Sequence, residues 1–256
     1  MLERLSFFSG ASGFTGGIIV MTHRSVARIV GVLFIMATVA LSLSVIILEP
    51  VLSAPDVLTR VSLEQGLMSA GILLELVNHI AVVSISVLIY QVLKPFSERL
   101  ALGYVVARSI EAVLFAIATM HLLNLIYLSH EFVAAGSPSP SYFHTLSNVL
   151  LAGHDWNSAP FAFTAFSIGS LMLNYVLYQA RLVPRWISVC GLLAAASILI
   201  ARLMLLSGLE LSSNTMAVLD GPIFLQEMVF AVWLIFKGFD RSALAARQSG
   251  AIPSNE

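Results

Sequence analysis

Six long apolar runs constrain this chain more than anything else in it. They fall at about 28–48, 68–93, 100–128, 160–181, 186–207 and 220–237. Each is near or above the roughly 20 residues that a helix needs to cross a bilayer. The breaks between them carry turn chemistry: "EPVLSAPD" at 49–56, "KPFSER" at 94–99, "GSPSPS" at 136–141 and "RLVPRW" at 181–186. Proline in such links stops one helix and starts the next. A chain of this pattern is expected to be all-α, an integral membrane bundle of about six transmembrane helices.

Composition closes off the soluble alternative. Hydrophobic residues make up 58% of the chain and charged ones 11%, against about 25% charged in an average soluble domain. Mean hydropathy is +0.93. A net charge of −1 leaves no basic field for nucleic acid. Cys190 is the single cysteine, which excludes an intrachain disulfide and a multi-cysteine metal site. Its apolar surroundings predict a buried, inert thiol.

Orientation follows from the basic residues. In a six-span arrangement Arg4, Arg24, Arg28, Lys94, Arg99, Arg181, Arg185, Lys237, Arg241 and Arg247 share one side, and Arg60 is alone on the other. The positive-inside rule then places both termini in the cytoplasm. Long connections at 49–67, 129–159 and 208–219 face outward. Residues 1–21, interrupted by four glycines, make a poor signal peptide. They read as an extension that is disordered or not native, with Met21 the better start. Residues 22–239 form the membrane domain, and 240–256 read as a polar, fraying tail.

Five charged residues lie inside the spans: Glu75, Arg108, Glu111, Arg202 and Glu227. Each costs about 3 kcal/mol at a helix centre on insertion scales, so they should face inward and pair. At about 1.5 Å of rise per residue, Glu75, Arg202 and Glu227 form an outer layer, and Arg108 with Glu111 an inner one. Arg108–Glu111 reads as a structural ion pair or as part of a ligand or proton site. Glu227 with Arg202 reads as an interhelical clamp. Three acids against two arginines leave one negative charge, which would hold a proton or attract a cation.

His79 shares a helix face with Glu75, at the i, i+4 spacing. Two ligands alone make a weak metal site. His130, Glu131, His144 and the "GHDW" stretch (153–156, with His154 and Asp155) are assigned to the outer connection as solvated groups, with a zinc site the lesser alternative. Ser188, Gly191 and Ala195 form a small-residue stripe suited to close packing. No H-E-x-x-H, G-x-S-x-G or P-loop is present. No cofactor is implied.

"THRSVARIVGVLFIMATVA" (22–40), "RSIEA" (108–112), "VPRWISVCGLLAA" (183–195) and "FLQEMVFAVWLIFKGF" (224–239) occur in order, with "GHDW" before the fourth span. This set resembles the bacterial multi-pass membrane family called domain of unknown function 4386. The resemblance implies an all-helical inner-membrane protein and carries no catalytic residue across. Three functions stay open. The chain is a binding, sensing or structural protein that holds a small polar ligand or a lipid headgroup. Alternatively it is a proton- or cation-coupled transporter using Glu75, Glu111 or Glu227. The motifs argue least for an embedded enzyme. Its partner in every case is the lipid bilayer.

Overall fold

A computed structural model describes residues 22–138, 142–209 and 211–248. The expected extension at 1–21 and the last residues of the tail lie outside them. Helices α1 (His23–Leu52), α3 (Gln65–Leu93) and α4 (Glu98–Ala134) are the first three spans, with the short α2 (Val57–Leu63) in the 49–67 connection. Then follow α5 (Tyr142–Trp156), a π-helical segment (Asn157–Ala162), α6 (Phe163–Ala180), α7 (Arg185–Leu206), α8 (Ser213–Phe236) and α9 (Arg241–Gln248). No strand occurs among the described residues. Six helical rods are long and apolar enough to cross a membrane, α5–π–α6 counting as one continuous rod from Tyr142 to Ala180.

The six rods close into a ring. α1 packs on α3, α3 on α4, α4 on α6, α6 on α7, α7 on α8, and α8 back on α1. α5 stands against α4 above the ring's middle. Large apolar side chains such as Ile46, Leu73, Val113, Leu193 and Leu225 point outward and are exposed. This is the arrangement expected where the solvent is lipid, since outward apolar surface then costs nothing. Small residues let the rods approach: a Cβ on Gly31 of α1 would sit 2.6 Å from the Ala231 carbonyl oxygen of α8. Gly191 of α7 likewise lies directly under the Asn174 amide of α6.

Helix starts are capped by their own side chains. Thr22, Ser97 and Ser212 accept hydrogen bonds from the amides of Ser25, Leu100 and Thr215. Arg181 ends α6 in the left-handed conformation, with φ of 53°. The basic residues Arg24, Arg28, Lys94, Arg99, Arg181, Arg185, Lys237 and Arg241 lie at or beside helix ends on one face of the ring, called here the basic end. The opposite face is the far end.

The structure differs from the sequence reading in four places. The fourth rod begins near Tyr142 rather than 160, so His144 and "GHDW" lie on a helix and not in a solvated loop. α4 continues to Ala134 and carries His130 and Glu131 with it. α8 begins at Ser213, two turns before the expected start. Cys190 is exposed on the outer surface of α7 rather than buried. In addition, the start of the supposed fraying tail is α9, which docks through buried Leu244.

The π-helical segment explains why Gly, Asn, Ser and Pro at 153–160 do not break the rod. Pro160 lacks the amide that an α-turn would use. Side chains occupy the carbonyls around the widened turn. Asn157 Nδ2 donates to the Gly153 carbonyl at 2.7 Å, Ser158 Oγ to that of His154 at 2.9 Å, and Thr164 Oγ1 to that of Pro160 at 2.5 Å.

Candidate functional site

The closed ring leaves a small cavity near its middle. Thr38 of α1, Asn78 of α3, Arg108 and Glu111 of α4, Phe166 of α6 and Glu227 of α8 all line it. Its volume is about 40 Å3. Asn78 is fixed by donating from Nδ2 to the Ala37 carbonyl at 3.1 Å. Arg108 and Glu111 are each 3% exposed, the deepest-lying charges on α4.

Arg108 Nη1 approaches Glu111 Oε2 at 3.0 Å, one turn away on the same helix. The guanidinium also lies over the Phe166 ring, 5.0 Å from its centroid. Arg108 Nε has no hydrogen-bond partner, and Glu111 Oε2 has only its ion pair with Arg108. Buried polar atoms left without partners call for an occupant such as a water or an ion. Glu227 enters the same cavity from α8. Among the described residues no hydrogen bond or ion pair engages it. The sequence-predicted inner layer of Arg108 and Glu111 is therefore present, with Glu227 added to it.

The outer layer divides. Arg202 does not clamp Glu227. It pairs with Asp220 of α8 through Nη2 and donates from Nη1 to Met216 Sδ at 3.7 Å. It also lies over the Phe163 ring, 4.9 Å from the centroid. The reason is register. α8 starts at Ser213, so Asp220 is two turns inside the rod and at the level of Arg202. Glu227 sits two turns deeper, nine residues or about 14 Å from the end of α8. Arg108 is ten residues or about 15 Å into α4 from the same side. The Phe115–Phe163 edge contact, 5.7 Å between centroids, stands between the two charge layers.

Glu75 belongs to a third group, toward the far end. It accepts a hydrogen bond from Thr119 Oγ1 at 2.5 Å. His154 Nε2 stands 4.0 Å from its other oxygen, and His154 Nδ1 lies 3.1 Å from Asp155 Oδ1. Asp155 is exposed, so these groups form a polar file from the surface to Glu75. Asn78, one turn further along α3, lines the cavity. His79 is buried and stacks on Phe115 at 5.6 Å. No hydrogen bond joins it to Glu75. Among the described residues no three His, Cys, Asp or Glu side chains assemble as a metal site.

Thr119 and His154 were not legible as site residues. The signal available for His154 was the helical spacing of Phe143, Ser147 and Leu150–Leu151, which the Gly and Pro nearby obscured.

The family described as Domain of unknown function (DUF4386) matches residues 29–238. The chain belongs to that family. The match reaches all six rods, α1 from residue 29 onward, and takes in Glu75, Arg108, Glu111, Arg202, Asp220 and Glu227. No curated protein and no solved structure matches the chain. Family membership thus agrees with the resemblance read from the sequence and with a multi-pass membrane protein, and it assigns no activity.

Proposed function

We propose that the chain is a bacterial cytoplasmic-membrane protein, both termini cytoplasmic, whose Arg108–Glu111–Glu227 centre binds a proton or, in its place, a small cation. The basic end then faces the cytoplasm, as the positive-inside rule requires. One observation carries the binding assignment: two carboxylates and one guanidinium share a single cavity of about 40 Å3. Fully ionised, the centre would hold one unbalanced negative charge in a low-dielectric setting, where isolated charge is expensive. A proton or monovalent cation removes that imbalance. The size of the cavity supports the choice of ligand. It suits a water or a bare ion, whereas organic ligands occupy pockets of roughly 300–1,000 Å3.

Infrared difference spectroscopy tests this. Protein titrated from acid to alkaline buffer should lose a protonated-carboxyl C=O band, and Glu227→Gln or Glu111→Gln should remove it. A band unchanged in both variants would overturn the reading.

A second reading, coupled transport, is favoured by two breaks in helix regularity beside the centre. The π-helical segment carries Pro160 just ahead of Phe163, which lines the cavity, and α8 carries Pro222 five residues before Glu227. Such breaks are where helices hinge. Proton flux into reconstituted vesicles, abolished in Glu227→Gln, would establish it. Tight vesicles with either protein would exclude it.

A further inference from the structure

The basic end holds a second, larger concavity, about 800 Å3 in volume, between α1, the α6–α7 link, the end of α8 and the start of α9. Arg24, Arg28, Arg181, Arg185, Lys237 and Arg241 line it, with Asp240 as the one carboxylate. Three stretches distant in sequence, at 24–28, 181–185 and 237–241, thus aim six cations at one volume. Exposed charges that only kept the protein soluble or oriented would be spread around the ring, as are Lys94 at the end of α3 and Arg99 in the first turn of α4.

The internal partners account for little of this charge. Arg24 donates to the carbonyls of Phe236 and Lys237, closing the end of α8. Arg185 lies over the Tyr178 ring at 5.2 Å. Asp240 is committed to the start of α9, accepting from the amides of Ser242 and Ala243 at 2.8 and 3.0 Å. No ion pair within 4 Å engages Arg28, Arg181, Lys237 or Arg241 among the described residues. The start of α7 adds to the positive field. Pro184 and Arg185 line the concavity there, and Pro184 provides no side-chain cap. The Ile187 amide bonds the Pro184 carbonyl at 3.0 Å, while no side chain caps the first amides of this 22-residue helix, leaving those of Arg185 and Trp186 to favour an anion. Trp233, Leu182 and Phe239 supply an apolar wall.

We propose that this concavity is a binding site for a phosphate group, carried by an anionic phospholipid headgroup or present as free phosphate. Arginine forks suit phosphate oxygens, and a basic recess between helix ends at the membrane surface is where headgroups seat. The site is separate from the Arg108–Glu111–Glu227 centre and does not depend on its assignment.

The test uses the full chain in nanodiscs of phosphatidylcholine containing a minor fraction of phosphatidylglycerol. Native mass spectrometry reads which lipid stays bound. A parallel arm measures thermal stability with inorganic phosphate against chloride at matched ionic strength. Arg28 and Arg241 are exposed, so Arg28→Gln/Arg241→Gln leaves the packing intact, and Arg99→Gln is the control outside the site. Selective retention of phosphatidylglycerol, weakened about tenfold or more in the double variant and unchanged in the control, supports a headgroup site. Stabilisation by inorganic phosphate with the same variant pattern supports free phosphate. The proposal is overturned if neither probe is favoured over its control, or if Arg99→Gln weakens binding as much as the double variant.

Discussion

Glu227 of α8 shares a cavity with the Arg108–Glu111 pair and is bonded to neither partner. That relationship separates the charges that hold the bundle together from the one left over. Arg108 and Glu111 compensate each other within one helix. Glu227 adds a carboxylate with no cation of its own.

Arg108→Leu should therefore be far more damaging than loss of either acid. It leaves two buried carboxylates facing each other, and breaking one side of a buried pair costs about 3–5 kcal/mol. Arg108→Leu/Glu111→Leu should recover most of that loss, and Glu227→Gln, which removes the uncompensated carboxylate, should be no less stable than the parent. Thermal unfolding in detergent reads all three. A double variant as unstable as Arg108→Leu alone would contradict the charge balance.

Arg202 should couple to Asp220 and not to Glu227. A double-mutant cycle on Arg202→Gln and Asp220→Asn is expected to return about 1–3 kcal/mol of interaction energy, and the same cycle with Glu227→Gln less than about 0.5 kcal/mol. Equal coupling to both acids would restore the interhelical clamp that sequence depth suggests.

Gly191→Val should separate α6 from α7. Its first side-chain atom falls on the Asn174 amide, which also accepts from Gln226 Nε2 at 3.4 Å. Overpacking of this kind costs about 1–3 kcal/mol. Gly191→Val/Asn174→Ala should regain part of the lost melting temperature, whereas strain unrelated to Asn174 would give no recovery.

Acid should release α9. The Ser242 hydroxyl and then the Ala243 amide hold the Asp240 carboxyl below its ordinary range. A folded value below the unfolded one means the stabilisation is present above the unfolded value and is lost as pH falls through the folded one. Hydrogen-exchange protection at 241–248, taken relative to the intrinsic rate at each pH, should therefore fall in acid, and Asp240→Ala should show the lower protection already at neutral pH. Protection independent of pH in the parent would count against this cap.

Hydropathy made the number of spans and their order readable, because lipid leaves every exposed helix face apolar. The inner charge pair was readable too, since Arg108 and Glu111 lie one turn apart on one helix. Partnerships between helices were not. Counting α8 from 220 instead of 213 shifts every depth on it by about 10 Å, which is enough to exchange Asp220 for Glu227 opposite Arg202. The start of the fourth rod was hidden for a different reason. Gly153, Asn157, Ser158 and Pro160 are turn-formers in isolation, but here the Asn157 and Ser158 side chains bond back onto the helix that they were expected to end.

The widened turn at Asn157–Ala162 also sets the phase of everything before it. A π-type bond encloses one residue more than an α-type bond, so the segment works as an insertion held within an otherwise continuous screw. Deleting one residue there would restore the regular pitch and swing Tyr142–Trp156 by about 100° around α6. His154 would turn away from Glu75, and the far-end polar file would lose its middle member while every side chain in it stayed the same.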